Sequence, residues 1–371
     1  MTLMTIAIYR KYRPKRLEDL LGQEHIVEIL KNAARHDKLA HAYLFYGPRG
    51  TGKTTAARLI AKIANCETRQ TEAVFRQKGE PCNKCSRCLE IDAGKALDVI
   101  EIDAASNRGI DEIRNLKEGI KLSPTSYKYK VFIIDEAHQL TKEAFNALLK
   151  TLEEPPAHAI LILATTEYEK VPPTITSRTQ QFHFKKLAIE EIVKKLKRIV
   201  GEEKLRVADD ALELIAAAAE GSLRDAESLL DQLTSLEENI ELKSVEKIIG
   251  KVGFIRTAEL ADLILNSNLT GALDYLTKID EMGYNLTDLN KELIHYIRRA
   301  LSLSIDPRLE TLFKKELTAR ELEQLKKHGA LINPNKHIKL LKSLIRAYGE
   351  MRYSPFAVVP LEIAIIENLQ Q

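Results

Sequence analysis

The chain has no tryptophan, and only four methionines and four cysteines occur among its 371 residues. No run of about 18 apolar residues occurs either, which excludes a hydrophobic membrane-spanning helix, and no membrane partner is expected. The amino end, MTLMTIAIY, puts a short apolar stretch ahead of its basic residues, the reverse of a secretory signal. A cytosolic location is therefore expected. Neither sign of charge dominates: 56 basic against 53 acidic residues leave a net charge of +3. Composition thus gives no whole-chain electrostatic case for nucleic acid or membrane, and any such contact must be local. The densest basic patch is Arg10, Lys11, Arg13, Lys15 and Arg16, a kind of run that is usually a solvated face. Internal repeats and low-complexity segments are absent. The scarcity of Trp, Met and Cys beside abundant Glu and Lys is compatible with a thermophilic source.

What is present is a globular composition, 44% hydrophobic and 29% charged, with enough apolar material for two or three cores. From about residue 41 to 184, short β-rich runs alternate with helical patterns, the mark of βαβ units and a parallel sheet. The strand candidates are 42–46, 99–102, 131–134, 160–164 and 181–184. Beyond Phe184 strand signals nearly vanish. Apolar residues recur at helical spacing over 189–200, 209–220 and 223–236, and again over 257–265, 286–302 and 337–348. Gly250 and Gly253 interrupt that pattern. An α/β domain over 1–185, a small helical domain over 186–250 and an all-helical domain over 251–371 are expected.

The strongest motif is Gly47-Pro48-Arg49-Gly50-Thr51-Gly52-Lys53-Thr54, followed by Thr55. It matches GxxxxGK(S/T) and sits between a strand and a helix, the context that pattern requires. Glycines allow backbone N–H groups to close around phosphate oxygens, and the next helix offers its positive end. Lys53 should reach the β- and γ-phosphates of ATP, and Thr54 should hold Mg²⁺. Downstream, Val131-Phe-Ile-Ile-Asp135-Glu136 is an apolar strand ending in adjacent carboxylates. One acid there could simply end a strand. Two suggest Asp135 on the magnesium shell and Glu136 orienting a water, hence hydrolysis as well as binding.

Further strings lie in order along the chain: Tyr12-Arg13-Pro14, Asp135-Glu136-Ala137-His138, Asn146 to Pro156, Ala164-Thr165-Thr166, Ser177-Arg178-Thr179 and Gly221-Ser222-Leu223-Arg224-Asp225. With the phosphate loop and the cysteine cluster, they resemble the AAA+ clamp loaders, in particular the bacterial gamma/tau family, across the first two domains. The third is matched by helical character alone. The resemblance implies a P-loop AAA+ domain, a helical lid and a helical collar that joins subunits. It makes Thr165 the first sensor of the γ-phosphate, Arg224 the second, and Arg178 a finger reaching a neighbouring subunit's nucleotide. Thr179 departs from the family's usual Ser-Arg-Cys. Ser222 and Asp225 also form an S-x-x-D helix start, so capping alone could explain them but does not require the arginine.

Cys66, Cys82, Cys85 and Cys88 lie in one stretch as C-x₂-C-x₂-C with a cysteine sixteen positions ahead. Four thiolates suit a tetrahedral structural zinc, and closely spaced cysteines also suit an iron–sulfur cluster. The resemblance favours Zn²⁺, because the family carries a zinc module at about 66–88, between the phosphate-loop helix and the next strand.

The function so implied is an ATPase that loads a sliding clamp onto primer-template DNA, with another AAA+ motor such as a branch-migration helicase as the alternative. Implied partners are delta- and delta-prime-type subunits, copies of the chain itself, the clamp, DNA bound without sequence specificity, and single-stranded-DNA-binding protein through indirect contact. Arg108, Arg114 and Lys142 are the DNA-contact candidates, since tracking a backbone needs only positive charge and helix ends. A nucleoid-associated cytoplasmic protein is the expected setting. The absence of a long polar tail after Gln371 resembles the short gamma form or a shortened tau.

Overall fold

Apolar residues on both faces of a strand need a cover on each side, and the central strands here receive one. The computed structural model describes residues 7–106, 116, 118–249, 254–314, 317, 319–351, 353–354 and 356–370. Ala42–Tyr46 (β1), Val99–Asp103 (β2), Lys130–Asp135 (β3), Ala159–Thr165 (β4) and Gln180–His183 (β5) form a parallel sheet in the order β2-β3-β4-β1-β5. On β3, Val131 and Ile133 enter one core while Phe132 and Ile134 enter the other. On β4, Ile160, Ile162 and Ala164 alternate in the same way with Ala159, Leu161 and Leu163. Side chains of this size contribute about 1.5–3 kcal/mol each when fully buried, so these two strands anchor the sheet. The expected strands agree with the observed ones to within one residue at each end.

Strand order decides where chemistry can occur. Because β4 lies between β1 and β3, the carboxyl ends of three adjacent strands bring Gly47, Thr165 and Asp135 side by side. Tyr46 is in register with Thr165, and the Gly47 N–H donates to the Thr165 carbonyl at 3.2 Å. Open parallel sheets bind ligands outside this edge.

The chain divides into two compact units: Met1–Leu187 with Gly221–Asp225, and Ala188–Glu220 with Ala226–Gln371. Among the described residues the second is helical apart from a two-residue parallel pair, Arg206–Val207 (β6) with Asn239–Ile240 (β7), which sequence periodicity did not reveal. A helix expected to reach Glu220 stops at Ala218, because Glu220 turns left-handed at φ 51° ahead of Gly221 at φ 89°. Helices Phe254–Leu265, Leu269–Glu281, Leu286–Ile305, Pro334–Met351 and Val358–Leu369 share one apolar core that includes Leu293, Ile297, Leu344 and Ile365. Two polar side chains inside it make hydrogen bonds: Asn290 Nδ2 donates to the Leu344 carbonyl at 3.1 Å, and the Tyr296 hydroxyl meets His328 Nδ1 at 2.7 Å. Burial lowers the pKa of His328 and of His337. Gly250, Gly253, Arg108 and Arg114 lie outside the described residues.

Candidate functional site

Gly47, Gly50 and Gly52 adopt φ of 137°, 72° and 103°, left-handed values that other residues rarely take. Space demands glycine too. A Cβ on Gly47 would lie 2.1 Å from the Phe184 carbonyl oxygen, and one on Gly50 would lie 1.9 Å from Ser222 Oγ. Lys53 opens the Lys53–Asn65 helix and is only 6% exposed. Its ammonium donates to the carbonyls of Gly47 and Pro48 at 2.8 and 2.7 Å. Burial pulls its pKa down to about 8, partly offset by the nearby Glu136 and Asp135 carboxylates. The Thr51 hydroxyl donates to the Pro48 carbonyl at 2.8 Å, Arg49 is exposed at the loop tip, and Thr55 is half-buried in the following turn. The first amides of a helix have no partner within it, so this terminus can receive an anion.

Thr54 Oγ1 donates to Asp135 Oδ2 at 2.7 Å, bringing together residues 81 positions apart. Two hard oxygens on a magnesium ion at ~2.1 Å would be about 3.0 Å apart when adjacent in an octahedron, so the pair needs only a small spread to take that ion. Glu136 follows with φ 48°, a strained value for a residue with a long side chain. The Thr166 hydroxyl donates to its carboxylate at 3.1 Å. His138 Nδ1 lies 3.5 Å from the same oxygen and 3.0 Å from Thr165 Oγ1, and His138 Nε2 is 3.2 Å from Glu167. Thr165 is fully buried and accepts the Glu167 N–H at 3.1 Å. Thr165, His138, Glu136 and Thr166 thus form a continuous polar network. Sequence reasoning assigned roles to Thr165 and Glu136 and missed the other two. A histidine two positions beyond a strand-end acid and a second threonine after the first were the available signals.

The two arginines are placed differently. Arg178 Nη1 donates to the Thr174 carbonyl at 2.9 Å and to Ser177 Oγ at 3.2 Å, while Nη2 pairs with Glu153 at 2.8 Å. The Arg224 guanidinium carbon lies 5.2 Å from the centre of the Tyr9 ring, a cation–π arrangement. Ser222 Oγ accepts the Asp225 N–H at 3.2 Å, so the helix cap read from sequence is made, and the same hydroxyl is the group Gly50 must avoid. Arg13 is drawn down in pKa by burial and by Arg58, with Glu101 opposing. Lys142 is exposed in the first turn of the Lys142–Glu153 helix, which Thr141 caps by accepting the Ala144 N–H at 3.2 Å.

The four cysteine sulfurs all lie within 4.8 Å of one another. Four sulfurs at ~2.3 Å from a tetrahedral zinc would be about 3.8 Å apart, so the cluster fits that ion closely. Cys82 and Cys88 already stand 3.9 Å apart. Backbone amides turn inward, from Cys82 to Cys66 at 3.4 Å and from Cys85 to Cys82 at 3.2 Å. With sulfurs this close the thiols compete for protons: the hydrogen bond from Cys88 holds Cys66 down to about 4, and Cys88 is driven up. A divalent cation would relieve that competition, and a closed four-sulfur set has no open position for catalysis.

Two family models match the chain: residues 22–188 fit one described as DNA polymerase III, delta subunit, and residues 191–236 fit the DNA polymerase III clamp loader subunit, ATPase lid domain. The chain is 43% identical to DNA polymerase III subunit tau of Bacillus subtilis over 98% of its own length and 63% of that protein's. It is 36% identical to the tau subunit of Escherichia coli over 97% of its length and 54% of that protein's. DNA polymerase III subunit gamma of Buchnera aphidicola is 35% identical, with 98% of this chain and 97% of that one covered. The chain therefore spans somewhat more than half of the two tau proteins and nearly all of the gamma protein. Among solved structures, the Thermotoga maritima RuvB branch migration motor compares with a TM-score of 0.46 at 18% identity, over 68% of this chain and 79% of that one.

Proposed function

Because the chain belongs to the gamma/tau family of DNA polymerase III clamp-loader subunits, we propose that it hydrolyses ATP to load a sliding clamp onto primer-template DNA. The observation that carries this reading is the 2.7 Å contact between Thr54 of the phosphate loop and Asp135 of the acidic strand end. It joins a phosphate cradle to a magnesium-type oxygen pair beside a carboxylate. Thr54 and Asp135 would hold Mg²⁺, which when bound supplies positive charge to the phosphate oxygens. Lys53 leaves its loop carbonyls for the β- and γ-phosphates. Thr165 donates to the γ-phosphate, and Glu136 orients the attacking water once it leaves Thr166. Arg224 contributes a second positive charge from its place over Tyr9. The cysteine set would hold zinc in a structural role.

Arg178 is read as acting on a neighbouring subunit's nucleotide. Its pair with Glu153 is solvent-exposed, and such pairs are worth about 0–1 kcal/mol, so release would cost little. The rest of the proposal follows the family: an α/β domain over 1–185, a lid over 186–250 and a collar over 251–371 that assembles subunits. Delta- and delta-prime-type subunits, the clamp and DNA are the partners, in a nucleoid-associated cytoplasmic setting. Lys142 at a helix start suits contact with a DNA phosphate. A branch-migration helicase is disfavoured, since the lid model is described as that of a clamp loader subunit and the relatives are named as DNA polymerase III subunits.

Mixed assemblies test the reading. Chains with Arg178→Ala and a sound loop are combined with chains carrying Lys53→Ala and a sound finger, together with loader partners, clamp and primed DNA. Clamp-stimulated ATP turnover should reappear in mixtures although each parent is inactive. An unaltered chain with no such turnover sinks the function, and dead mixtures with verified co-assembly sink the trans role of Arg178.

A further inference from the structure

One buried acid takes no part in the chemistry above. Glu80 lies in the cysteine module, between Gly79 and Pro81, and is 5% exposed. A carboxylate in that position is costly unless each oxygen is bonded. Its partners come from a distant part of the chain: Oε2 accepts the Leu17 N–H at 2.7 Å, and Oε1 accepts the Glu18 N–H at 3.1 Å and faces Lys31 Nζ at 3.0 Å. Three positions on, Asn83 Nδ2 donates to the Lys15 carbonyl at 2.9 Å. Cys82 thus stands between two tethers, and both end on the same short turn at Lys15–Glu18.

That turn reaches the phosphate loop. Leu17 and Leu20 are buried in the core under the sheet, and Leu20 Cδ2 is the atom a Cβ on Gly52 would meet, at 3.2 Å. Upstream on the same segment, Tyr9 lies under Arg224. The module is also fixed to the other end of the loop's own helix. Cys66 caps the Lys53–Asn65 helix, and the buried Lys62 of that helix bonds Asp92, at the end of the Ser86–Asp92 helix that carries Cys88, at 2.8 Å.

We propose that Glu80, with Asn83, is a positioning residue for nucleotide binding, anchoring the 15–20 segment so that Leu20 braces Gly52 and Tyr9 stays beneath Arg224. The cysteine module then sets nucleotide affinity without touching nucleotide. This rests on the reading that Gly47–Thr54 binds ATP.

The full chain is compared with Glu80→Gln and Asn83→Gly variants. The second keeps the backbone unstrained, because Asn83 sits at φ 59°, and removes the side-chain tether. Zinc content, hydrogen exchange of the Leu17 and Glu18 amides, affinity for a fluorescent non-hydrolysable ATP analogue, and steady-state turnover are measured. Zinc should stay at the parent level while the two amides exchange faster. Affinity should fall about tenfold in Glu80→Gln and less in Asn83→Gly. Turnover at saturating ATP should stay within about twofold of the parent, with the loss appearing in KM. A variant that melts earlier yet binds the analogue like the parent reduces Glu80 to a structural acid and overturns the proposal, as do unchanged amides. If the unaltered chain does not bind the analogue, the ATP reading fails and takes this inference with it.

Discussion

Within the first unit, the phosphate loop and the cysteine cluster both gather polar atoms into a small volume, and they hold them in different ways. At the loop the side chains proposed for chemistry have partners that can be given up: Lys53 rests on carbonyls of its own loop, Thr54 on Asp135, and Glu136 on Thr166. At the cluster, the amides of Cys82 and Cys85 fix the sulfurs from behind. Two of the module's polar side chains are spent on distant backbone, Glu80 on Leu17 and Glu18 and Asn83 on Lys15. Exchangeable bonds suit a ligand that comes and goes, and fixed bonds suit an ion that stays.

The comparison breaks most visibly at Glu136. Glu136→Gln removes the charge that orients water and keeps the volume, so turnover should fall about 10²- to 10⁴-fold with ATP affinity little changed. An equal loss of affinity in single-turnover and binding assays would mean that Glu136 shapes the loop and is not an exchangeable part of it. Next in size is Lys53→Met, which should weaken ATP binding by about a hundredfold, as a lost charge-assisted contact would, while leaving zinc content at the parent level. Cys85→Ser sharpens the other side: elemental analysis should find its one zinc lost and calorimetry a lower melting temperature, with a smaller fall in ATP affinity. Iron in the native protein, or full stability without metal, would contradict the zinc reading.

The smallest effect is in pH. Burial has moved Lys53 from 10.5 to about 8 in the folded chain. Below about 8 the ammonium is charged in folded and unfolded chains alike, and its burial cost is fully present. Between about 8 and 10.5 the unfolded chain holds a proton that the folded one has released, so this group makes stability rise with pH. Attraction for a polyanion falls over the same window. ATP affinity should therefore drop by up to about tenfold per pH unit above 8, and Lys53→Met should lack that slope. The cysteine site should respond in the opposite sense, releasing zinc as acid protonates its sulfurs.

What the sequence made legible was local. Strand limits, the phosphate loop and the spacing of the cysteines depend on neighbours a few positions away, and each is found where it was expected. The Thr54–Asp135 contact could be anticipated because two motifs pointed at one ion. Other contacts had no such guide. Glu80 meets Leu17 across 63 positions, and nothing in the local pattern around either distinguishes the pair. Arg178 pairs with Glu153, the first of two adjacent glutamates at the end of a helix whose facing side only the tertiary fold decides. His138 stood in view beside the acids, but its contacts with Thr165 and Glu167 depend on β4 lying between β1 and β3.

The ammonium of Lys53, folded onto Gly47 and Pro48, makes the loop its own temporary guest. On the reading proposed above, a cradle braced from within would offer nucleotide a socket already formed, with one side chain to displace rather than a loose coil to organise. Capture then depends on how readily one side chain lets go.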